Sequence, residues 1–318
     1  MATVSDTGSI AVVGMFDGVH AGHRHLLAHL RREAADYGLR PLVVTFANHP
    51  LELIAPAKAP ALLSSPDEKL LLLAREGVEV EMLTFDEALR NTSTEGFLRM
   101  LRDRWNVRRM LLGFNNRFGH DAPSDFAEYQ QIGRKCDIEI ERGTEFSTAA
   151  SQTVSSSEIR RLILNHDIQG ANVLLGRRYS LVGDVAHGQA IGRTIGFPTA
   201  NVVPAFGRKL IPPGGVYAVE AMTTDGSRYA AMVNIGARPT ICPDGATPTI
   251  EANLIGFDGD LYGTELHRLP APRAQIPFPR CPAGPAHPRP HRRPPALPKL
   301  KIPRHLLTFK KALPIFGI

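Results

Sequence analysis

Gly14-Met15-Phe16-Asp17-Gly18-Val19-His20-Ala21-Gly22-His23 separates two stretches of different texture. Before it, residues 10–13 are continuously apolar, as in a strand buried on both faces. After it, Arg24-His25-Leu26-Leu27-Ala28-His29-Leu30 has helical spacing. A strand, a glycine-bearing turn and a helix start together make an anion site, because free backbone N–H groups and the helix dipole face outward there. Gly14, Gly18 and Gly22 let the backbone approach a ligand closely. His20 and His23 can donate from two imidazoles to one phosphate.

A glycine turn alone is weak evidence, and a lone histidine is more often structural than catalytic. Here the specified positions fall in order at a strand-to-helix junction, which favours phosphate binding. His25 and His29 lie four apart on the helix, which raises a metal site with His20 or His23. No cysteine or carboxylate cluster completes such a site, so the histidines read as phosphate ligands.

The same alternation continues along the first half of the chain. Residues 41–46 form a second apolar run, followed by Asn48-His49-Pro50. Ser65-Pro66-Asp67-Glu68-Lys69 opens a leucine-rich helix, with Ser65 as its cap and two carboxylates in its first turn. Residues 78–83 and 109–112 read as third and fourth strands. Strands alternating with helices predict a parallel sheet with its ligands at the carboxyl ends of the strands. Past the fourth strand comes Gly113-Phe114-Asn115-Asn116-Arg117-Phe118-Gly119, and later Ser155-Ser156-Ser157-Glu158-Ile159-Arg160 begins a helix with three hydroxyls.

Beyond Leu174-Leu175-Gly176 the texture becomes short apolar segments between Gly/Pro turns, as in a small antiparallel barrel. Within it stands Gly192-Arg193-Thr194-Ile195-Gly196-Phe197-Pro198-Thr199-Ala200-Asn201. Gly215-Val216-Tyr217, Asn234-Ile235-Gly236-Ala237-Arg238-Pro239-Thr240, Ile250-Glu251 and Asp258-Gly259-Asp260-Leu261-Tyr262-Gly263 follow in order.

Charge is divided unevenly. The net charge is +6, yet residues 268–318 hold eleven Lys/Arg, no Asp or Glu and thirteen of the 26 prolines. The first 267 residues carry 26 basic against 31 acidic side chains, so the basic balance belongs to the tail. An acid-free tail without interleaved stacking aromatics does not point to nucleic-acid binding. No apolar run approaches a bilayer span, the N-terminus lacks the regions of a secretory signal, and three scattered cysteines make no disulfide framework. A cytoplasmic protein, a monomer or weak homo-oligomer with no membrane partner, is expected.

Taken in order, these motifs resemble the bacterial bifunctional riboflavin kinase/FMN adenylyltransferases, the FAD synthetases. The resemblance covers roughly residues 8–267. It implies an α/β nucleotidyltransferase domain over residues 1–175 and a riboflavin kinase-like β-barrel over 176–267; the composition of the Pro/Arg-rich tail over 268–318, where the resemblance stops, predicts disorder. The resemblance also implies ATP and Mg²⁺, with riboflavin and FMN as substrates and FAD as product. His20 and His23 then become catalytic, and Gly14, Phe16, Asp17, Gly18, Gly22, Ser155, Ser156, Ser157 and Arg160 bind ATP. Asn48, His49, Asn115, Arg117 and Phe118 fall on the flavin side, with Asn115 where many relatives carry Asp and Ser157 where Thr is usual. In the barrel, Gly192 and Thr199 bind ATP, Thr199 and Asn201 hold Mg²⁺, and Glu251 is the catalytic base.

The prolines after residue 268 remove ladder donors and forbid helix interiors, which suggests a frameshifted end or a basic extension. With a frameshifted end, the barrel is expected to be incomplete, with an unpaired edge, and the kinase impaired. Two other readings compete. One is a nucleotidyltransferase with another phosphorylated acceptor, against which the attached barrel argues. The other is a flavin-binding protein with relic active sites, against which the intact His20, His23, Thr199, Asn201 and Glu251 argue.

Overall fold

The computed structural model describes residues 7–113, 117–143, 154–186, 199–237, 248–258 and 265–267. Its first half runs β1 (Ser9–Val13), α1 (Ala21–Asp36), β2 (Arg40–Phe46), α2 (Pro50–Ile54), α3 (Pro66–Ala74), β3 (Glu79–Leu83) and α4 (Glu87–Arg90). It continues α5 (Thr94–Trp105), β4 (Val107–Leu112), α6 (Phe126–Lys135), β5 (Glu139–Arg142), α7 (Ser156–Leu164) and α8 (Ile168–Leu175). The second half is all strand: β6 (Val182–Ala186), β7 (Ala200–Pro204), β8 (Gly215–Met222), β9 (Arg228–Ala237), β10 (Pro248–Leu254) and β11 (Glu265–His267).

The first five strands form one parallel sheet in the order β3-β2-β1-β4-β5. All five residues of β1 are buried, because helices cover both faces of the sheet. Ile10 and Val12 pack with Leu27 and Leu30 of α1. Ala11 and Val13 pack in a second cluster with Phe97, Leu98 and Leu101 of α5 and Tyr129 of α6. The strand order reverses between β1 and β4, so a crevice opens beyond their carboxyl ends, where open α/β sheets bind ligands. Ser65 caps α3 in a capping box with Glu68, and Pro66 sits in its first turn, as their order in the sequence predicts.

The six later strands close a barrel in the order β10-β7-β6-β11-β8-β9. This corrects the expectation of an incomplete barrel with an unpaired edge. Among the described residues, β11 pairs with β6 over Glu265–His267 and with β8 at His267, opposite Met222. Barrel residues Val185, Val202, Val233, Ile235 and Ile250 share one core with α7, α8 and Leu63. The two halves therefore meet through packed apolar surface. Residues 268–318 lie outside the described residues.

Candidate active sites

Among the described residues, positive φ angles cluster in the turn after β1. Phe16, Gly18 and Val19 all have positive φ, at 47°, 78° and 39°. For a β-branched residue such as Val19 that is a strained conformation, of the kind that collects at functional sites. Gly18 is there for space as well as φ, since a Cβ would lie 3.0 Å from the Leu63 side chain.

Several partners hold the turn in place. Asp17 is 3% exposed and accepts hydrogen bonds from the amides of Leu63 (2.9 Å) and Ser64 (3.0 Å) and from the Ser64 hydroxyl (3.2 Å). Arg160 closes the arrangement, donating from Nη2 to Asp17 at 2.6 Å and from Nε to the Ala61 carbonyl at 2.7 Å. Ser156 donates to the Asp17 carbonyl, and Arg177 donates to the Gly18 carbonyl. The Gly18 amide donates to Ser64 Oγ. Asp17 and Arg160, expected to face ATP, thus spend these contacts on the protein. Ser155 caps α7 by accepting from the Glu158 amide, and Ser157 is exposed on its first turn.

His20 follows as the N-cap of α1, its Nδ1 accepting from the His23 amide at 3.3 Å. An accepting Nδ1 puts the proton of the neutral ring on Nε2. The two imidazoles stack with centroids 3.6 Å apart, and Phe16 tilts against His23 at 4.9 Å. Gly22 leaves room for this, because a Cβ there would meet the His20 ring at 3.3 Å. Burial pulls the His20 pKa down to about 4, aided by Arg160, Arg177 and Arg24 and opposed by Asp17. Burial first, then His20 and Lys69, holds His23 well below the ordinary value. The His23 Nδ1 is enclosed without a hydrogen-bond partner among the described residues.

Lys69 of α3 gave no signal in the sequence beyond its place in a helix. It is 3% exposed and donates to the carbonyls of Met15 (3.1 Å) and Phe46 (2.5 Å), joining the ends of β1 and β2. Burial lowers its pKa to about 8.

On the neighbouring loop, Asn48 makes a two-way pair with the Phe85 backbone, and His49 caps α2 while Glu52 returns a bond to its amide. The Arg117 guanidinium holds the carbonyls of Ala122 and Pro123. Phe118 packs against the rings of Phe97 and Tyr129. Gly14 donates its amide to Val44. Asn115 and Gly192 lie outside the described residues.

The barrel offers a different arrangement. Asn201 of β7 and Asn234 of β9 stand directly opposite Glu251 of β10, one on each side. Residues opposite each other in antiparallel strands point to the same face. Their neighbours Val202, Ile250 and Ile235 fill the core, so Asn201, Glu251 and Asn234 form a polar row on the outer face. Thr199 immediately precedes β7 and is half-buried. Asn234 was not singled out in the sequence; only strand register brings it beside Glu251. These are hard oxygen donors, few in number, which suits Mg²⁺ carried by a nucleotide with much of its water retained. No group of three or more His, Cys, Asp or Glu that could hold a metal occurs among the described residues.

An α/β domain with paired histidines at a phosphate-ready helix start, joined to a barrel carrying a carboxylate between two amides, defines a nucleotide-dependent transferase with two sites. Comparison with known proteins makes this specific. The FAD synthetase family model matches residues 3–158, and the riboflavin kinase model matches residues 175–273. The bifunctional riboflavin kinase/FMN adenylyltransferase of Pseudomonas fluorescens is 37% identical over 268 residues, 81% of this chain and 82% of that protein. The enzymes of the same description from Escherichia coli K12 and Haemophilus influenzae are 36% and 34% identical, covering 81% and 86% of this chain and 82% and 88% of their own lengths. A solved structure described as a macrolide-efflux protein of Streptococcus pneumoniae is 30% identical, with a TM-score of 0.74 over 86% of this chain and 88% of its own. The chain belongs to the bifunctional riboflavin kinase/FMN adenylyltransferase family.

Proposed function

We propose that the chain converts riboflavin to FMN in the barrel and FMN to FAD in the α/β domain, using ATP and Mg²⁺ in both. The observation that carries the adenylyl-transfer half is the stacked His20–His23 pair on a helix start beyond β1. The FMN phosphate is already anionic, so one of its oxygens attacks the α-phosphorus of ATP without a general base. The bond to the β-phosphate breaks and pyrophosphate leaves. Catalysis then consists of positioning and of stabilising charge on the phosphoryl oxygens. His20 donates from Nε2 as a neutral imidazole, with His23 beside it and the first amides of α1 facing the same anion. Asp17, Arg160 and Ser156 shape this turn, Gly14 and Gly22 let its backbone come close to ATP, and Ser155 and Ser157 place hydroxyls near it. Asn48, His49, Asn115, Arg117 and Phe118 belong to the loops that frame the flavin.

In the barrel, the riboflavin 5′-hydroxyl must lose a proton as it attacks the γ-phosphorus, and ADP leaves. Glu251 takes that proton, and Thr199 and Asn201 serve the nucleotide, as Gly192 does by its place in the motif over residues 192–201. Thr199 and Asn201 would hold Mg²⁺, which would supply neutralisation of the phosphate charge. The kinase half is read as the impaired one, because the Pro-rich, acid-free sequence after residue 267 departs from the family's barrel end.

The domain boundaries fall at 175/176 and 267/268, and the protein works in the cytoplasm as a monomer or weak homo-oligomer, without nucleic acid. No described helix is long and apolar enough to cross a membrane. The test is chromatography of the purified chain with Mg²⁺ and ATP labelled in either the α- or the γ-phosphate. Label from the α-position is expected in FAD when FMN is supplied, and label from the γ-position in FMN when riboflavin is supplied. Absence of both products would leave a flavin-binding relic as the better reading.

A further inference from the structure

A segment of the α/β domain, residues 59–64, is gripped from both sides. On one side stands the histidine turn, through Asp17 and Arg160. On the other stands the barrel segment 208–210. The Leu62 amide donates to the Arg208 carbonyl at 2.7 Å, and the Leu210 amide returns a bond to the Leu62 carbonyl at 2.8 Å, forming an isolated parallel bridge. Arg208 adds a bond to the Pro60 carbonyl at 3.1 Å. Lys209 is 8% exposed, and its ammonium donates to the Leu63 carbonyl at 2.9 Å and to Glu68 at 2.5 Å. Its remaining side faces the Tyr179 ring at 5.0 Å. Glu68 in turn accepts from the Ser65 amide at 2.7 Å, where it closes the capping box of α3.

The decisive point is a single peptide group. Lys209 holds the carbonyl of Leu63, and the N–H of that same peptide, on Ser64, donates to Asp17. A hydrogen-bonded chain therefore runs from the barrel ammonium through one peptide plane to the carboxylate that sets the turn, three residues before His20. Bonds in such a chain polarise one another, and a cation on the carbonyl oxygen strengthens the N–H as a donor. The sequence separation between Lys209 and Leu63, 146 residues, means the contact exists only when both halves are assembled.

We infer that Lys209, supplied by the barrel, is a positioning residue for adenylyl transfer in the other domain, acting through the Leu63–Ser64 peptide and Asp17. The inference rests on the reading of residues 14–23 as the adenylyl-transfer site. It makes the barrel part of the first active site, independently of any kinase turnover.

The test compares the full-length chain, Lys209→Met, Glu68→Gln/Lys209→Met and His20→Ala in FAD formation from FMN, with melting temperature and amide exchange recorded for each. Lys209→Met leaves Glu68 buried without its cation and is expected to lower the melting temperature; the double variant removes both charges and recovers it. Both are expected to lose about ten- to a hundredfold in kcat, with a smaller change in KM for ATP, because a displaced turn mispositions His20. Exchange at the Leu63 and Ser64 amides should quicken in both. A folded double variant with unaltered kcat overturns the inference, as does loss of rate that follows melting temperature alone. If His20→Ala still makes FAD at the unaltered rate, the site reading itself fails. If His20→Ala is inactive while the folded Lys209 variants are unimpaired, only the coupling fails.

Discussion

The two candidate sites are built in opposite ways. In the α/β domain the functional turn is buried and locked, with Asp17 holding three donors from residues 63–64 and Arg160 besides. In the barrel, Asn201, Glu251 and Asn234 form an open row on regular strands, fixed by register rather than by a network. The difference follows the chemistry. Adenylyl transfer from an already anionic nucleophile needs a preorganised field and fixed donors, which burial and strain provide. Phosphorylation of a hydroxyl needs a base that meets its substrate and exchanges a proton, and a half-exposed carboxylate serves that need.

The sharpest way to test the contrast is to remove one group from each site. Glu251→Gln should cost the kinase about 10²- to 10⁴-fold in kcat while leaving melting temperature and FAD formation from FMN near their unaltered values, because the row lies outside the core. His20→Ala should cost FAD formation about 10²- to 10³-fold, as loss of a preorganised donor does, with riboflavin phosphorylation intact. Asp17→Asn should strike stability as well as rate. Removing the charge of the buried carboxylate that holds Arg160 is expected to cost about 3 kcal/mol or more, read as a drop in denaturation midpoint. An Asp17→Asn protein as stable as the parent would show that the network is less important than its geometry suggests.

A pH titration gives the next effect. His20 has a folded pKa near 4 against an ordinary value of 6.5. Between those values the unfolded chain binds the proton and the folded one does not, so stability falls as pH drops from 6.5 towards 4 and levels off below. At 1.36 kcal/mol for each unit of pKa, His20 accounts for about 3 kcal/mol of that loss. His23 adds to it in the same direction. The His20 and His23 resonances should accordingly show no titration between pH 6 and 8 in the free protein, to be checked by NMR. The smallest expected effect is Ser156→Ala, which removes one bond to the Asp17 carbonyl and should cost about 1 kcal/mol.

The α/β domain is legible in the sequence because each of its signals is local. The apolar run ending at Val13, the apolar run before Asn48 and the Ser65-Pro66 helix start all report structure within a few residues. The row around Glu251 is only half legible, since its Asn234 member depends on strand register. The interlocking of the turn is not legible at all. A helix-borne Lys69 and a turn-borne Lys209 look like solvated cations until distant carbonyls close on them. Asp17 reads as a ligand to ATP because its partners at residues 63–64 lie 46 and 47 positions away. Closure of the barrel rests on the long-range pairing of β11 with β6, which no local pattern reports.

The most direct test of two differently built and separate active sites is a paired product assay on His20→Ala and Glu251→Gln, each supplied with ATP, Mg²⁺ and either riboflavin or FMN. The account predicts that His20→Ala stops at FMN when given riboflavin, and that Glu251→Gln makes FAD from FMN but no FMN from riboflavin. Loss of both products with either substitution, or FAD formation at the unaltered rate by His20→Ala, would contradict it.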